Sequence, residues 1–340
     1  MIVSGSADNT IRIWGPPKKL YTFHKTPKIR AIVEVFKFLY PREIVRAARV
    51  NTQFYEASFH PEVRGKLPPF KQTKVLEGHR SVVKSVATSN KKGFIVSGSL
   101  DNTIRIWSLH SKEQIQILEH HTLGVTSVAI SNNLLVSGSW DNTIRIWNVA
   151  TSQETQVLRG HKGYVWSVAL SSDEKLLVSG SADNRVRVWN ISTNKEVEVF
   201  QGHRDYVWSV AISSDNELVV SGSADKTVRI WSISEQKQIR EFTKHTDYVW
   251  SVAISANNDL VVSGSADKTV RVWSIIQQRE VKVLHGHFGG VLSVYLSDDD
   301  SFILSTSKDN SIRVWDLPQG KQTQVLRGHT DYVWSAKLVT

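Results

Sequence analysis

One block of 40 to 42 residues recurs along most of this 340-residue chain and constrains its fold more than any other feature. Segments such as "RGHKGYVWSVALSSDEKLLVSGSADNRVRVW" and "QGHRDYVWSVAISSDNELVVSGSADKTVRIW" differ at few positions. A fixed period of this length indicates a repeat architecture, in which each unit buries its apolar residues against its neighbours. The repeat histidines are His79, His121, His161, His203, His245, His287 and His329, and the tryptophans that close the complete units are Trp107, Trp147, Trp189, Trp231, Trp273 and Trp315.

Each unit contains four short runs rich in β-branched and aromatic residues, such as "YVWSVAI", "LVVSGS", "TVRIW" and "EVEVF". Polar turn residues separate these runs, so each unit predicts four strands. Four strands in a repeat of this length are typical of a β-propeller blade. The chain resembles the WD-repeat family, which has the same Gly-His opening, Ser-Gly-Ser-x-Asp turn and closing tryptophan. The resemblance implies an all-β propeller, although among the closing tryptophans only Trp315 is followed by Asp.

The two ends of the chain complement each other. Six units are complete, and the seventh begins at His329 and supplies only its first strand before Thr340. The strands that it lacks are present as "IVSGSADNTIRIW" at residues 2–14. The sequence therefore predicts a seven-bladed ring that the N- and C-terminal strands close together, which leaves no free sheet edge. The predicted propeller comprises residues 1–14 and 72–340, with an insert at 15–71.

The insert is long and has a different pattern. Only 14 residues separate Trp315 from His329, but 65 separate Trp14 from His79. Apolar spacing in "PKIRAIVEVFKFLY" and "PREIVRAARVNTQFYEASF" predicts short helices. This stretch resembles an F-box, which implies docking onto a Skp-type adaptor of a cullin (SCF-type) ubiquitin ligase. The residues that the resemblance assigns to the adaptor are Val35, Phe36, Leu39, Pro41, Ile44, Val50 and Phe54.

Other interpretations of the insert stay open. Its apolar residues, among them Ile32 and Phe36, also suit a helical appendage that packs on the propeller. The insert has twelve Lys or Arg against four Glu, so it carries +8 of the total net charge of +10. A basic arm of this kind suits an acidic protein surface, RNA or an anionic membrane, or it is simply a solvated helix face. Its aromatic residues follow helical positions instead of forming a stacking platform, which makes nucleic acid the weaker choice.

A second motif predicts a binding surface. Four units begin their first strand with "YVWS", next to the loop that opens on one face of the ring, and three of them carry Asp before the tyrosine. In the WD-repeat family these positions often line the rim where partner peptides bind. Aromatic rings with carboxylates suit a peptide that carries Lys or Arg. The alternative is that the tryptophans wedge between blades and only the tyrosines are exposed. The residues are Tyr164, Trp166, Tyr206, Trp208, Tyr248, Trp250, Tyr332, Trp334, Asp205, Asp247 and Asp331.

Every unit also contains Ser, His and Asp, a set that resembles a hydrolase triad. An enzyme does not need seven triads. The family resemblance instead implies a structural hydrogen-bond network with the blade tryptophan, represented by His203, Ser221, Asp225 and Trp231. We therefore expect no enzyme activity and no cofactor. With no cysteine and no close-spaced histidine cluster, we expect no metal site either.

These observations predict a non-catalytic protein–protein interaction scaffold. The more specific hypothesis is a substrate-recognition subunit of a cullin ubiquitin ligase, with a protein or peptide ligand on the propeller and a Skp-type adaptor on the insert. The alternative is a scaffold of a cytoskeletal, trafficking or RNA-associated complex that uses the basic insert as a docking arm. The absence of cysteine and of a long apolar segment predicts an intracellular protein, cytoplasmic or nuclear, without a membrane span.

Overall fold

The computed structural model describes residues 1–15, 70–89, 92–131 and 134–339, and within them all regular secondary structure is β-strand. Its 28 strands form seven antiparallel sheets of four strands each. The predicted seven-bladed all-β propeller is therefore confirmed. The helices expected in the insert, and the adaptor-binding residues assigned to them, lie outside the described residues.

One blade joins the two ends of the chain, and we call it the seam blade. It contains β1 (Ile2–Ser6), β2 (Ile11–Gly15), β3 (Lys71–Leu76) and β28 (Val333–Leu338). The other six blades are each built from four consecutive strands. Blade 1 has β4 (Val83–Ser89), β5 (Phe94–Ser99), β6 (Ile104–Ser108) and β7 (Gln114–Leu118); blade 2 has β8 (Val125–Ile130), β9 (Leu134–Ser139), β10 (Ile144–Asn148) and β11 (Gln153–Leu158); blade 3 has β12 (Val165–Leu170), β13 (Leu176–Ser181), β14 (Val186–Asn190) and β15 (Lys195–Phe200). Blade 4 has β16 (Val207–Ile212), β17 (Leu218–Ser223), β18 (Val228–Ser232) and β19 (Lys237–Phe242); blade 5 has β20 (Val249–Ile254), β21 (Leu260–Ser265), β22 (Val270–Ser274) and β23 (Arg279–Leu284); blade 6 has β24 (Val291–Leu296), β25 (Phe302–Ser307), β26 (Ser311–Asp316) and β27 (Lys321–Arg327).

The ring closes through the seam blade. Strand β28 pairs with β1 over a register from Ile2 opposite Leu338 to Ser6 opposite Val333. The first strands of successive blades contact one another around the central axis, and β28 contacts both β24 and β4. We call these seven the inner strands. The order β28-β1-β2-β3 confirms the prediction that strands from both ends of the chain complete one blade.

The propeller extends slightly further into the chain than the expected boundaries at 14 and 72. Strand β2 includes Gly15, and β3 begins at Lys71. Phe70 is buried in a core cluster with Phe302, and its backbone N–H donates a hydrogen bond to Oε1 of Gln324 at 3.0 Å. Because β2 runs away from the face where the inner strands begin, Gly15 and Phe70 lie at the opposite end of the seam blade.

The hydrophobic core lies between the blades. Val178 and Val188 of blade 3 are fully buried and share a cluster with Val207 and Val210 of blade 4. The two middle strands of a blade therefore bury both faces, whereas the fourth strand is partly exposed. Removal of this apolar surface from water holds neighbouring blades together.

Neighbouring blades approach closely at the glycine of the Ser-Gly-Ser turn. A Cβ at Gly180 would lie 2.7 Å from Cγ1 of Val207 and 3.0 Å from Cγ1 of Val210 in the next blade. Equivalent glycines make the same approach in five further blades. Blade 6 carries Thr306 at this position, and the seam blade that it faces carries Ala336 where blade 4 has Val210. The larger residue on one side is thus matched by a smaller one on the other.

We predict that Ala336→Val lowers the free energy of unfolding by about 1–3 kcal/mol, because its added methyl groups collide with Thr306. Thr306→Gly in the same chain should recover most of that loss, because it restores the pairing of the other blades. Urea unfolding of the wild type, both single variants and the double variant measures this coupling. Strictly additive effects of the two substitutions would contradict the assignment.

Candidate functional site

A β-bulge presents the candidate site residues. In blade 3, Val165 pairs with Ser181 and Ser167 with Gly180, so Trp166 is the extra residue that the register skips. The same irregularity occurs at the start of every inner strand, including β28, where it falls at Trp334. A bulge redirects its extra side chain out of the regular alternation. The bulged residues therefore form one ring at the end where the inner strands begin, which we call the top face. In chain order they are Lys84, Thr126, Trp166, Trp208, Trp250, Leu292 and Trp334.

Three tryptophans of consecutive blades form a contiguous aromatic surface, which we call the tryptophan arc. The ring centroids of Trp166 and Trp208 are 4.3 Å apart, and Trp140 meets Trp166 edge-to-face at 6.0 Å. Trp166 and Trp208 are both partly buried, and the contact between their rings joins blade 3 to blade 4. The ring of Tyr164 lies 5.8 Å from that of Trp140 and remains substantially exposed.

The tyrosines before the bulge are the exposed members of the motif. Tyr164, Tyr206, Tyr248 and Tyr332 are between 41% and 46% exposed. In three cases the preceding aspartate accepts a hydrogen bond from the backbone N–H of its tyrosine, at 2.7 to 2.8 Å. The carboxylates of Asp205, Asp247 and Asp331 are thus each held at the backbone of an exposed tyrosine.

Trp140 was not predicted as a site residue, although the sequence contains a signal for it. It occupies the turn position where most units have Ala, and its unit has Gly124 in place of the usual tyrosine. The backbone N–H of Trp140 donates to the carbonyl of Gly124 at 3.0 Å. Because a Cβ on Gly124 would come within 3.2 Å of the Trp140 ring, the missing side chain makes room for the indole.

In blade 6 the turn residue is a lysine, and a glycine again stands at the tyrosine position. Its turn carries Lys308, whose backbone N–H donates to the carbonyl of Gly290 at 3.0 Å. The ring of Trp250 from blade 5 packs over Gly290. The ammonium of Lys308 lies 4.3 Å from the centroid of that ring and 5.6 Å from the centroid of Tyr332 in the seam blade.

A second lysine sits on the bulge of blade 1. The ammonium of Lys84 is 2.9 Å from the ring centroid of Trp334. Burial, together with the charge of Lys308, lowers the pKa of Lys84 from 10.5 to about 7. We call Lys84, Lys308, Trp250 and Trp334 the lysine sector. Both lysines replace a residue type that recurs in the other units, and this departure from the repeat is the signal that identifies them.

The Ser, His and Asp of each unit form a closed network with the blade tryptophan. In blade 4, Nε1 of Trp231 donates to Oγ of Ser221 at 2.8 Å, and Oγ of Ser221 lies 2.7 Å from Nε2 of His203. Nδ1 of His203 lies 2.8 Å from Oδ2 of Asp225. The serine is fully buried and its hydroxyl is engaged on both sides, so it cannot attack a substrate.

The protonation states agree with this structural role. Burial lowers the pKa of His203 and outweighs the opposing hydrogen bond with Asp225, so the imidazole is neutral at pH 7. Burial by itself would raise the pKa of Asp225, but hydrogen bonds from His203, Thr227 and the backbone of Arg204 hold it well below its usual range. A neutral histidine that donates to an ionised aspartate completes the chain of donors that starts at the tryptophan.

Metal binding and membrane spanning concern the part of the chain that the structure describes. No group of three or more His, Asp or Glu residues there is arranged to hold a metal ion. Those residues also contain no helix that is long and apolar enough to cross a membrane.

Comparison with known families gives a clear match. The model described as "WD domain, G-beta repeat" matches residues 1–15, 70–108, 112–148, 152–190, 194–232, 236–274 and 278–316. These segments cover well over half of the chain. Each of the six longer segments spans the fourth strand of one blade and the first three strands of the next. The chain belongs to the WD-repeat family. In this WD-repeat protein the ring supplies the frame, and several departures from the repeat, including Lys84, Trp140 and Lys308, lie on the top face.

Two curated relatives share part of this chain. A protein named ribosome biogenesis protein YTM1 from Candida albicans is 30% identical over 135 residues, which are 37% of this chain and 28% of that protein. A protein of the same name from Scheffersomyces stipitis is 32% identical over 129 residues, which are 35% of this chain and 27% of that protein. The chain thus matches little more than a quarter of the length of either relative.

We predict that the ring loses stability as the pH falls below about 6.5. The buried histidines have lowered pKa values in the folded state, so the unfolded chain binds more protons in this range. Each such histidine contributes up to about 1.4 kcal/mol per pH unit. The six are His79, His121, His161, His203, His287 and His329.

Urea unfolding followed by tryptophan fluorescence between pH 8 and pH 5 measures the effect. The matched control is His285→Asn, which changes an exposed histidine outside the networks and should leave the profile unchanged. Equal stability at pH 8 and pH 5 would show that the network histidines are not held neutral.

Proposed function

We propose that this protein is a non-catalytic scaffold that binds a segment of a partner protein across the top face of its propeller. The observation that carries the proposal is the set of four half-exposed tyrosines on the top face, two of which pack edge-on against a bulged tryptophan. Aromatic side chains are enriched among the residues that dominate protein interfaces, because they bury a large area at low entropic cost. The proposed contact residues are Tyr164, Trp166, Tyr206, Trp208, Tyr248, Trp250, Tyr332 and Trp334.

Rigidity of the ring supports this role. The backbone N–H of Val168 in blade 3 donates to Oγ of Ser127 in blade 2, at 3.1 Å. Five further pairs of neighbouring inner strands have the same bond, at 3.0 to 3.3 Å. A surface that is held in place before binding loses less conformational entropy when the partner docks.

The aspartates define where a basic side chain of the partner would dock. The carboxylates of Asp205, Asp247 and Asp331 each accept the backbone N–H of a tyrosine whose side chain is exposed. A Lys or Arg of the partner can pair with the carboxylate and lie over the ring. These pairs add specificity to the affinity that the aromatic rings supply.

We predict that Tyr164→Ser, Tyr206→Ser and Tyr248→Ser together remove partner binding without unfolding the ring. Affinity capture from the source cells, followed by quantitative mass spectrometry, compares this triple variant with the wild type. The matched control is Ile276→Ser, which changes another exposed apolar side chain, one that is 78% exposed. Ile276 lies in the turn that follows β22, at the end of blade 5 opposite the top face. Capture of the same proteins by the wild type and by the triple variant would contradict the proposal.

Two assemblies are candidates for the scaffold. The F-box resemblance of residues 27–64 supports a substrate receptor of a cullin ubiquitin ligase, in which the insert binds a Skp-type adaptor. In favour of this arrangement, Gly15 and Phe70 flank the insert at the end opposite the top face, so an adaptor there would leave the top face open. The partial similarity to proteins named ribosome biogenesis protein supports an RNA-associated assembly instead.

Direct binding to a purified Skp-type adaptor separates these candidates. A ligase receptor should bind the adaptor, and Leu39→Asp or removal of residues 18–67 should abolish that binding. The deletion keeps Phe70, because its side chain belongs to the propeller core. No adaptor binding by the folded intact chain, together with co-sedimentation with ribosomal precursor particles, would favour the second assembly.

A further inference from the structure

We infer that the lysine sector of the top face is a receptor for an acidic side chain, so that the partner segment carries Asp or Glu next to apolar residues. This inference rests on the proposed function and specifies the chemistry of its ligand. The acidic side chain would occupy the lysine sector, and the adjoining apolar side chains would cover the tryptophan arc.

The first step of the argument is the placement of the two ammonium groups. Lys84 of blade 1 lies over Trp334 of the seam blade, and Lys308 of blade 6 lies over Trp250 of blade 5. Four adjacent blades therefore bring two cations to one part of the rim. Among the residues that the structure describes, no carboxylate forms an ion pair with either lysine.

The second step is the cost of this arrangement. Two cationic side chains, both partly buried, lie over aromatic rings in one part of the rim. Burial and the charge of Lys308 both lower the pKa of Lys84, so this arrangement disfavours its charged form. A carboxylate between the lysines would offset their repulsion and would gain strength from the low local dielectric.

The third step is the donor character of the neighbouring surface. The indole N–H groups of Trp140, Trp166 and Trp208 are buried, and none has a hydrogen-bond acceptor among the described residues. Together with the two ammonium groups, these indoles give this part of the top face several hydrogen-bond donors. Buried donors without partners are unfavourable, so a segment that offers oxygen acceptors complements this surface.

The surroundings favour a peptide over a nucleic acid. Binding of a polyanion gains its affinity from many cationic contacts along the phosphate backbone. The lysine sector offers two cations bordered by aromatic rings, and the aspartates of the tyrosine pairs would repel further phosphates. A single carboxylate within an apolar segment fits this pattern of charge.

The test is selection from a random twelve-residue peptide display library against three forms of the purified chain. The first form is the wild type. The second carries Lys84→Thr and Lys308→Ala, which are the residues of Thr126 and Ala266 at the same repeat positions. The third is a matched control with Lys226→Asn and Lys268→Asn, which removes the same charge from two top-face turns, where other units have Asn.

We expect the wild type and the control to select peptides that contain Asp or Glu within apolar sequence. Replacing the acidic residue of a selected peptide by Asn or Gln should raise its dissociation constant from the wild type at least tenfold. For the variant that carries both Lys84→Thr and Lys308→Ala, the same replacement in the peptide should change the dissociation constant less than threefold. Thermal unfolding of all three forms verifies that the ring is intact.

Several outcomes would overturn the inference. Selected peptides that bind the top face without any preference for Asp or Glu would refute the acidic receptor but leave protein binding intact. An equal effect of the acidic replacement on the wild type and on the lysine variant would place the acidic contact elsewhere. Displacement of the peptides by RNA with loss of affinity in the lysine variant would assign the site to nucleic acid. A folded ring that selects no peptide would contradict the proposed function itself.

Discussion

The buried serine hydroxyl at the centre of each blade is the interaction on which the rest of the structure depends. It accepts the indole N–H of the third strand and meets the histidine of the loop that leads into the inner strand. That histidine in turn holds the aspartate of the turn between the second and third strands. In blade 4 the chain runs from Trp231 through Ser221 and His203 to Asp225. Because each member is buried and paired, the loss of any one leaves an unsatisfied polar group inside the blade.

This network also explains why the top face has a defined geometry. The loop that carries the histidine continues directly into the tyrosine and the bulged residue. The turn that carries the aspartate begins with the residue at the position of Trp140 or Lys308, and its backbone N–H is bonded to the carbonyl of the tyrosine position. Two otherwise mobile connections are thus tied to the same buried serine. Side chains at the rim can differ between blades without loosening the frame beneath them.

The differences between units are of two kinds. At Trp140 and Lys308, the loop residue whose carbonyl accepts the backbone N–H of the turn residue is a glycine. Where blade 6 has Thr306 at the contact between blades, the seam blade has the small residue Ala336 opposite it. The first kind of exchange reshapes the rim, and the second preserves packing at the closure of the ring. The resulting face has a tyrosine and aspartate element, a tryptophan arc and a lysine sector. Together they offer both charged and apolar groups to a partner.

The sequence by itself determined the fold. The 42-residue period, the alternation within each run and the complementary ends predicted four strands per unit, seven blades and the seam between β28 and β1. The resemblance to the WD-repeat family implied the Ser, His, Asp and Trp network, and the structure contains it. These features are local or periodic, so a repeated sequence pattern is enough to predict them.

Only the tertiary structure decided the candidate site. The contact of Lys84 with Trp334 joins residues that are 250 positions apart, and the meeting of Trp250 with Lys308 crosses from one blade to the next. The bulge turns the residue after the tyrosine out of the two-residue alternation, so strand periodicity gives no direction for its side chain. The sequence therefore marked the tyrosines and tryptophans as a surface. Lys84 became part of that surface when closure of the ring placed blade 1 beside the seam blade, and Lys308 became part of it through the packing of blade 6 against blade 5.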